Sequence, residues 1–151
     1  MRIVDVLERD AELYPDRVAV VLADDRSVTF AELTDRVRRI AAGFKSLGIK
    51  RGSRVVLVAD DGAVFFDVYL AVAYLGAIAV PINTRLTDRE IEFIIDNAQP
   101  MLTIADSGYV ERLGVMRGVD LVIDSDSPAY EELASSDPLP DLGQASEDDV
   151  A

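Results

Sequence analysis

Carboxylates stand at the ends of two predicted strands of the chain. Asp60 and Asp61 follow one apolar run of strand length, and Asp106 follows another. The carboxyl ends of parallel strands share one edge of a sheet, where open α/β sheets bind ligands. Oxygen ligands suit Mg²⁺, so one hypothesis is a metal site formed by these three acids. The alternative is a structural role, in which Asp60 or Asp61 caps the helix that begins near Ala63.

The chain has no cysteine and no histidine, and this excludes several kinds of chemistry. Disulfides, zinc centres built on Cys or His, and thiol or imidazole catalysis all need residues that the sequence lacks. The sequence also has no glycine-rich phosphate loop, because the glycines from Gly43 to Gly76 fall at predicted helices and turns. Carboxylates, hydroxyls, tyrosine, lysine and arginine remain as candidate functional groups.

Charge is unevenly distributed along the sequence. The net charge is −13, but residues 1–117 hold 18 acidic and 15 basic side chains, whereas residues 118–151 hold ten acidic side chains and no basic one. Neither part predicts a basic face, so neither nucleic acid nor an anionic membrane is expected as a partner. We predict a folded α/β domain over residues 1–133 and an acidic, extended linker over residues 134–151.

One helix–strand–helix unit lies at the centre of the predicted fold. Apolar residues at three- and four-residue spacing predict a helix from Val64 to Leu75, which Gly76 ends. A short apolar strand follows from Ala77 to Val80. Thr87 and Glu90 then have the spacing of a capping box, which starts the next helix.

The other elements follow from the same patterns. They are a helix that ends at Tyr14, a β-hairpin with its turn at Asp24 to Arg26, a helix from Thr29 to Leu47, strands at Arg54 to Ala59, Met101 to Ala105 and Val119 to Ile123, and helices at Gly108 to Met116 and Pro128 to Leu133. The predicted fold class is α/β, with a parallel sheet of about four strands and helices on both faces, preceded by an N-terminal helix and a β-hairpin. Arg36, Arg38 and Arg39 are predicted to face solvent.

A bilayer span is the alternative explanation for the apolar stretch from Gly62 to Ile82. The stretch is 21 residues long with Asp67 as its only charge, which is long enough to cross a membrane. Gly76 and Pro81 divide it into shorter elements, however, and an Asp at mid-span costs roughly 2.5–3.5 kcal/mol. We therefore predict no membrane span and a cytoplasmic protein.

Four stretches carry short motifs in a fixed order. They are Tyr14-Pro15-Asp16-Arg17-Val18-Ala19-Val20, Val28-Thr29-Phe30-Ala31-Glu32-Leu33, Leu47-Gly48-Ile49-Lys50-Arg51-Gly52-Ser53-Arg54-Val55 and Leu75-Gly76-Ala77-Ile78-Ala79-Val80-Pro81-Ile82-Asn83. In order and spacing they resemble the N-terminal part of the adenylate-forming (AMP-binding) superfamily, which includes acyl-CoA synthetases, luciferases and nonribosomal adenylation domains. The stretch from Pro81 to Thr87 is most similar to fatty-acid and aryl-CoA ligases. Ser53 and Asp61 stand where that family usually has Asp and Asn.

The resemblance implies that the chain is the N-terminal portion of an ATP-dependent acyl-CoA synthetase. Such a parent joins a carboxylic acid to CoA through acyl-AMP, and it uses ATP, Mg²⁺ and CoA. The family's phosphate loop, Mg²⁺ motif and catalytic Lys have no counterpart in these 151 residues. The chain is therefore expected to hold no catalytic residue, to be inactive alone and to bind none of these molecules tightly. The implied partner is the rest of the ligase chain, and an apolar face left uncovered predicts self-association.

If this part of the chain meets a ligand, the resemblance implies that the ligand is CoA. Asn83, Thr84 and Arg85 form a loop at a strand's carboxyl end, and with Arg112 they are the implied CoA-binding residues. The alternative is that Asn83 is a turn residue and Arg85 a surface charge. The second hypothesis is a free-standing α/β binding or signalling module with the Mg²⁺-binding acid cluster described above. That arrangement resembles bacterial receiver domains, but no Lys follows Lys50, and receiver domains need a late Lys.

Overall fold

A parallel four-stranded sheet forms the centre of the fold. The computed structural model describes residues 2–60 and 62–140. An antiparallel hairpin of β1 (Val18–Val21) and β2 (Ser27–Thr29) precedes the sheet. The strands of the sheet are β3 (Arg54–Val58), β4 (Ile78–Pro81), β5 (Leu102–Ala105) and β6 (Val122–Asp124), and their order is β4–β3–β5–β6.

Helices cover both faces of this sheet. In the described residues they are α1 (Ile3–Leu13), α2 (Phe30–Ser46), α3 (Ala63–Tyr74), α4 (Asp88–Ala98), α5 (Ser107–Gly114) and α6 (Pro128–Ala134). One core lies between the sheet and α1, α2, α3 and α6, and a second core lies between the sheet and α4 and α5. Because β3 is buried on both sides, its sequence is continuously apolar from Val55 to Val58. The predicted fold class is confirmed.

Two helices begin at the capping boxes that the sequence predicts. The Thr29 hydroxyl accepts a hydrogen bond from the Glu32 N–H (3.2 Å), and the Glu32 carboxylate accepts one from the Thr29 N–H (2.8 Å). Thr87 and Glu90 make the same pair of bonds at the start of α4. The pKa of Glu32 is lowered chiefly by the Thr29 N–H, and that of Glu90 chiefly by the Thr87 hydroxyl. These bonds fix where α2 and α4 start.

No helix within residues 2–60 and 62–140 has both the length and the apolar content to cross a membrane.

The predicted start of β6 and the predicted cap of α3 are wrong. Strand β6 begins at Val122 rather than at Val119, because pairing with β5 sets its register. Helix α3 begins after Gly62, whose φ of 117° favours glycine and which supplies no side-chain cap. Asp60 is therefore not the N-cap residue of α3, and Asp61 lies outside the described residues.

Residues 135–140 form a strap across α2 and α3. The Leu139 N–H donates to the Arg38 carbonyl (3.3 Å), and the Arg39 guanidinium donates to the Ser136 carbonyl (3.2 Å). The Tyr74 hydroxyl donates to the Pro140 carbonyl (2.5 Å), so the end of the strap is fixed to α3. The strap lies within the predicted linker of residues 134–151, of which residues 141–151 are outside the described range.

Candidate functional site

The carboxyl edge of the sheet has the geometry of a ligand-binding crevice. The connection that leaves β3 leads to α3 on one face of the sheet, and the connection that leaves β5 leads to α5 on the other. Neighbouring parallel strands whose connections depart to opposite faces leave a crevice between them. A cavity of about 500 Å³ lies beside this point, with walls from the β1–β2 hairpin, the start of α3, and α6.

Two of the acids predicted at this edge, Asp60 and Asp106, take part in hydrogen bonds that link the loops after the strands. The Asp60 N–H donates to Asp106 (2.9 Å), and the Ser125 hydroxyl donates to the other oxygen of Asp106 (2.9 Å). Hydrogen bonds from the Thr84 and Tyr109 hydroxyls lower the pKa of Asp60, and the bond from Tyr109 is 2.8 Å long. Both carboxylates therefore join the loops that follow the strands.

The described residues do not fit the hypothesis of a Mg²⁺ site. Within 2–60 and 62–140, no three acidic side chains are grouped so that they could hold a metal ion. The oxygens of Asp106 already accept hydrogen bonds, and Asp60 accepts two hydroxyl hydrogen bonds. Asp61, the third acid of that hypothesis, lies outside the described range.

The loop after β4 is a tight turn that presents Arg85 to solvent. The Asn83 side-chain oxygen accepts a hydrogen bond from the Arg85 N–H (2.9 Å), and the Asn83 carbonyl accepts one from the Leu86 N–H (3.2 Å). An asparagine that bonds the backbone two residues on is a common way to form such a turn. Arg85 is exposed and forms no ion pair with any residue in the described part of the chain. Its guanidinium is therefore available to bind an anion.

Arg112 reaches the same loop from α5, but its guanidinium has protein partners. It donates to the Leu86 carbonyl (3.1 Å) and pairs with Asp88 at the start of α4. Arg112 therefore ties the β4–α4 loop to α5. The structure thus brings Asn83, Thr84, Arg85 and Arg112 to one part of the carboxyl edge.

The sequence patterns did not predict a buried ion pair that lies beside the cavity. Asp67 is only 2% exposed, and it accepts hydrogen bonds from the Arg36 guanidinium (2.9 Å) and the Tyr130 hydroxyl (3.1 Å). Burial raises the pKa of Asp67, and the bonds from Arg36 and Tyr130 oppose the rise. Burial alone would lower the pKa of Arg36, but Asp67 raises it. Asp67 itself could have indicated the pair from the sequence, because a single charged residue in an apolar helix needs a partner when it is buried.

The prediction that the arginines of α2 face solvent is wrong for two of them. Arg36 binds Asp67 of α3, and Arg38 binds Glu8 of α1 (2.9 Å from Nε). Glu8 is itself buried. Arg36 and Arg38 are therefore only partly exposed, and their ion pairs join α2 to α3 and α1.

Comparisons with known proteins agree with this architecture. The model of the family described as AMP-binding enzyme matches residues 7–151. The 3-oxocholest-4-en-26-oate–CoA ligase of Rhodococcus rhodochrous is 28% identical, over 99% of this chain and 30% of that enzyme. A benzoate CoA ligase from Burkholderia xenovorans LB400 has a TM-score of 0.81 at 26% identity, over 99% of this chain and 31% of that one. The N-terminal domain of FACL13 from Mycobacterium tuberculosis has a TM-score of 0.80 at 28% identity, over 93% of this chain and 38% of that one.

The chain spans a minor part of the relatives that it matches. It covers 30% of the Rhodococcus ligase and 21% of a 2-succinylbenzoate–CoA ligase from Bacillus cereus, to which it is 32% identical. The family match nevertheless extends over nearly all of this chain. The chain belongs to the AMP-binding enzyme family, and its fold is that of the N-terminal portion of the adenylate-forming acyl-CoA synthetases.

Proposed function

We propose that this chain is part of an ATP-dependent acyl-CoA ligase and contributes a contact to CoA. The reaction of the whole enzyme is activation of a carboxylic acid by ATP with release of pyrophosphate, followed by thioester formation with CoA and release of AMP. The observation that carries the proposal is Arg85, an exposed arginine without an acidic partner among the described residues, at the carboxyl edge of the sheet. The matched relatives are CoA ligases by name.

The loop residues have different roles in this proposal. Arg85 binds a phosphate group of CoA, because its planar guanidinium can donate two parallel hydrogen bonds. Asn83 fixes the turn that presents it. Thr84 is held by Asp60, and Arg112 positions the end of the loop through Leu86 and Asp88.

We also propose that these 151 residues do not complete the reaction alone. Phosphoryl chemistry depends mainly on positioning and on neutralising charge. The sequence has no glycine-rich phosphate loop, and the described residues do not fit a Mg²⁺ site. We therefore expect the residues that act on ATP to lie in another part of the ligase.

Isothermal titration of the chain tests the assignment of Arg85. We expect weak binding of CoA, and at least about tenfold weaker binding after Arg85→Ala, because each charge-assisted hydrogen bond contributes about 1.5 kcal/mol. Arg89→Ala is the matched control, since Arg89 is also exposed but lies in α4. An equal loss in both variants, or no loss in Arg85→Ala, would contradict the assignment.

Titration with Mg·ATP and with Mg²⁺ alone separates the ligase from the signalling module. We expect no heat with Mg·ATP. Binding of Mg²⁺ that Asp106→Asn removes would favour the signalling module instead.

We propose further that the isolated chain self-associates through the outer face of α3. Asp67 is the only charged residue of α3, and it points to Arg36 and Tyr130. On the outer face, Phe66 and Tyr69 are 42% and 40% exposed. A helix that is apolar on every side is normally buried, so this face is suited to pack against another protein surface.

Sedimentation velocity over a range of micromolar concentrations measures this self-association. We expect a concentration-dependent dimer that the double variant Phe66→Gln/Tyr69→Gln shifts to monomer, because the substitutions remove apolar area from the contact. Phe93→Gln is the control, since Phe93 is 72% exposed but lies on α4. A monomer at all concentrations would rule out the proposed contact.

A further inference from the structure

The amino edge of the sheet carries four exposed cations without acidic partners. Residues 36–54 contain seven of the chain's 15 basic residues and no acidic residue. Three of the seven pair with Asp67, Glu8 and Asp35. The other four, which we call the amino-edge cations, form no ion pair within residues 2–60 and 62–140. They are Lys45, Lys50, Arg51 and Arg54, and all four are exposed.

The fold holds the amino-edge cations close together. Lys45 is in the last turn of α2, Lys50 and Arg51 form the turn before β3, and Arg54 is the first residue of β3. The turn is fixed because the Gly52 N–H donates to the Gly76 carbonyl at the end of α3 (3.0 Å). The charges are therefore presented by a defined surface.

Exposed apolar side chains lie among these cations. Leu47, Ile78 and Met101 are 41%, 47% and 44% exposed. Ile78 is the register partner of Arg54, and the Met101 N–H donates to the Arg54 carbonyl (2.9 Å). The amino edge therefore presents both basic and apolar side chains to solvent.

A group of acidic side chains lies at the opposite edge of the sheet from the amino-edge cations. The carboxyl edge, about 17 Å away along a five-residue strand, carries Asp60, Asp106, Asp124 and Asp126. Charges separated by more than about 8 Å are largely screened at physiological ionic strength, so these acids do not cancel the cations. At the β6 side of the amino edge, Asp96 is already paired with Arg117 (3.2 Å), and Asp120 precedes β6 two strands away from β3. The balance of acidic and basic residues over residues 1–117 does not reveal this local group of cations.

We propose that the amino edge docks on an anionic phospholipid bilayer. The amino-edge cations contact the lipid headgroups, and Leu47, Ile78 and Met101 enter the interfacial layer. Charge complementarity favours an anionic surface, and surfaces that combine basic and apolar side chains bind anionic lipid interfaces. The acidic carboxyl edge, with the Arg85 loop, then faces away from the membrane. This inference is independent of the proposed ligase reaction.

Co-sedimentation of the chain with lipid vesicles tests the proposal. We expect binding to phosphatidylcholine vesicles that contain about one third phosphatidylglycerol, but not to pure phosphatidylcholine, at about 0.05 M salt, with loss of binding at about 0.5 M salt. The double variant Lys50→Glu/Arg51→Glu should lower the partition coefficient by at least about tenfold.

A matched variant separates the amino edge from net charge. Arg26→Glu/Arg89→Glu makes the same change in net charge at exposed positions near the carboxyl edge, where Arg26 lines the cavity and Arg89 is in the first turn of α4. We expect this variant to bind within about twofold of the original chain. An equal fall in both variants would show that net charge alone decides binding and would overturn the proposal. Absence of binding to the anionic vesicles at low salt would overturn it as well.

Discussion

Replacement of Asp67 by alanine is expected to lower the free energy of unfolding by about 3 kcal/mol. The substitution leaves the Arg36 guanidinium and the Tyr130 hydroxyl, which is in a residue only 2% exposed, without their acceptor. The loss falls at the lower end for broken buried pairs, because the Arg36 side chain is 35% exposed and can be hydrated again. Urea denaturation followed by circular dichroism measures the change.

Two controls separate the ion pair from other effects of the Asp67 substitution. Glu131→Ala removes a longer contact of Arg36 (3.4 Å) to an exposed acid, and we expect a change of about 0.5 kcal/mol or less. Asp67→Leu combined with Arg36→Met replaces both charges by apolar groups, and we expect it to recover most of the lost stability. A loss below about 1 kcal/mol in Asp67→Ala would show that the pair does not stabilise the fold.

Gly43→Val is expected to lower the free energy of unfolding by about 2–3 kcal/mol. A Cβ atom at Gly43 would lie 2.9 Å from the Cα, the Cβ and one methyl carbon of Leu133. Backbone atoms cannot rotate away, so α6 would have to move off α2 and carry Tyr130 away from Asp67. Thermal and urea unfolding measure the loss.

Gly108→Val is the matched control for the Gly43 substitution. Gly108 is also in a helix, α5, but a Cβ atom there would meet nothing within 4 Å. We expect its effect to stay within about 0.5 kcal/mol. Equal stability of Gly43→Val and the original chain would contradict the close packing of α6 on α2.

Local patterns predicted most of the fold because they depend on neighbours in sequence. The hydroxyl and carboxylate of each capping box are three residues apart, so Thr29 and Thr87 reveal the starts of α2 and α4. Glycine after an apolar stripe likewise marks a helix end, as at Gly76, which has φ 63°. The turn at Asn83 and its place at a strand end could be predicted for the same reason.

Features that depend on long-range packing could not be predicted. Arg36 and Asp67 are 31 residues apart, and Tyr130 is 63 residues from Asp67. A helical pattern shows that α2 has a charged side, but not that Asp67 of α3 and Glu8 of α1 pair with its arginines. The partners of Arg112 and the grouping of cations at the amino edge could not be predicted for the same reason, because both depend on which strand ends lie next to each other.

The packing of α6 and the strap against α2 also has a consequence for how the chain folds. Arg39 and Ser136, which the strap joins, are 97 residues apart in the sequence. Contacts between such distant residues form slowly, because a long loop must close before they are made. During synthesis, a chain that has not reached Pro128 lacks Tyr130 and Leu133, so Asp67 and the groove at Gly43 stay uncovered until α6 is made. Helix α6 therefore completes a core to which α2, whose synthesis begins nearly a hundred residues earlier, already belongs.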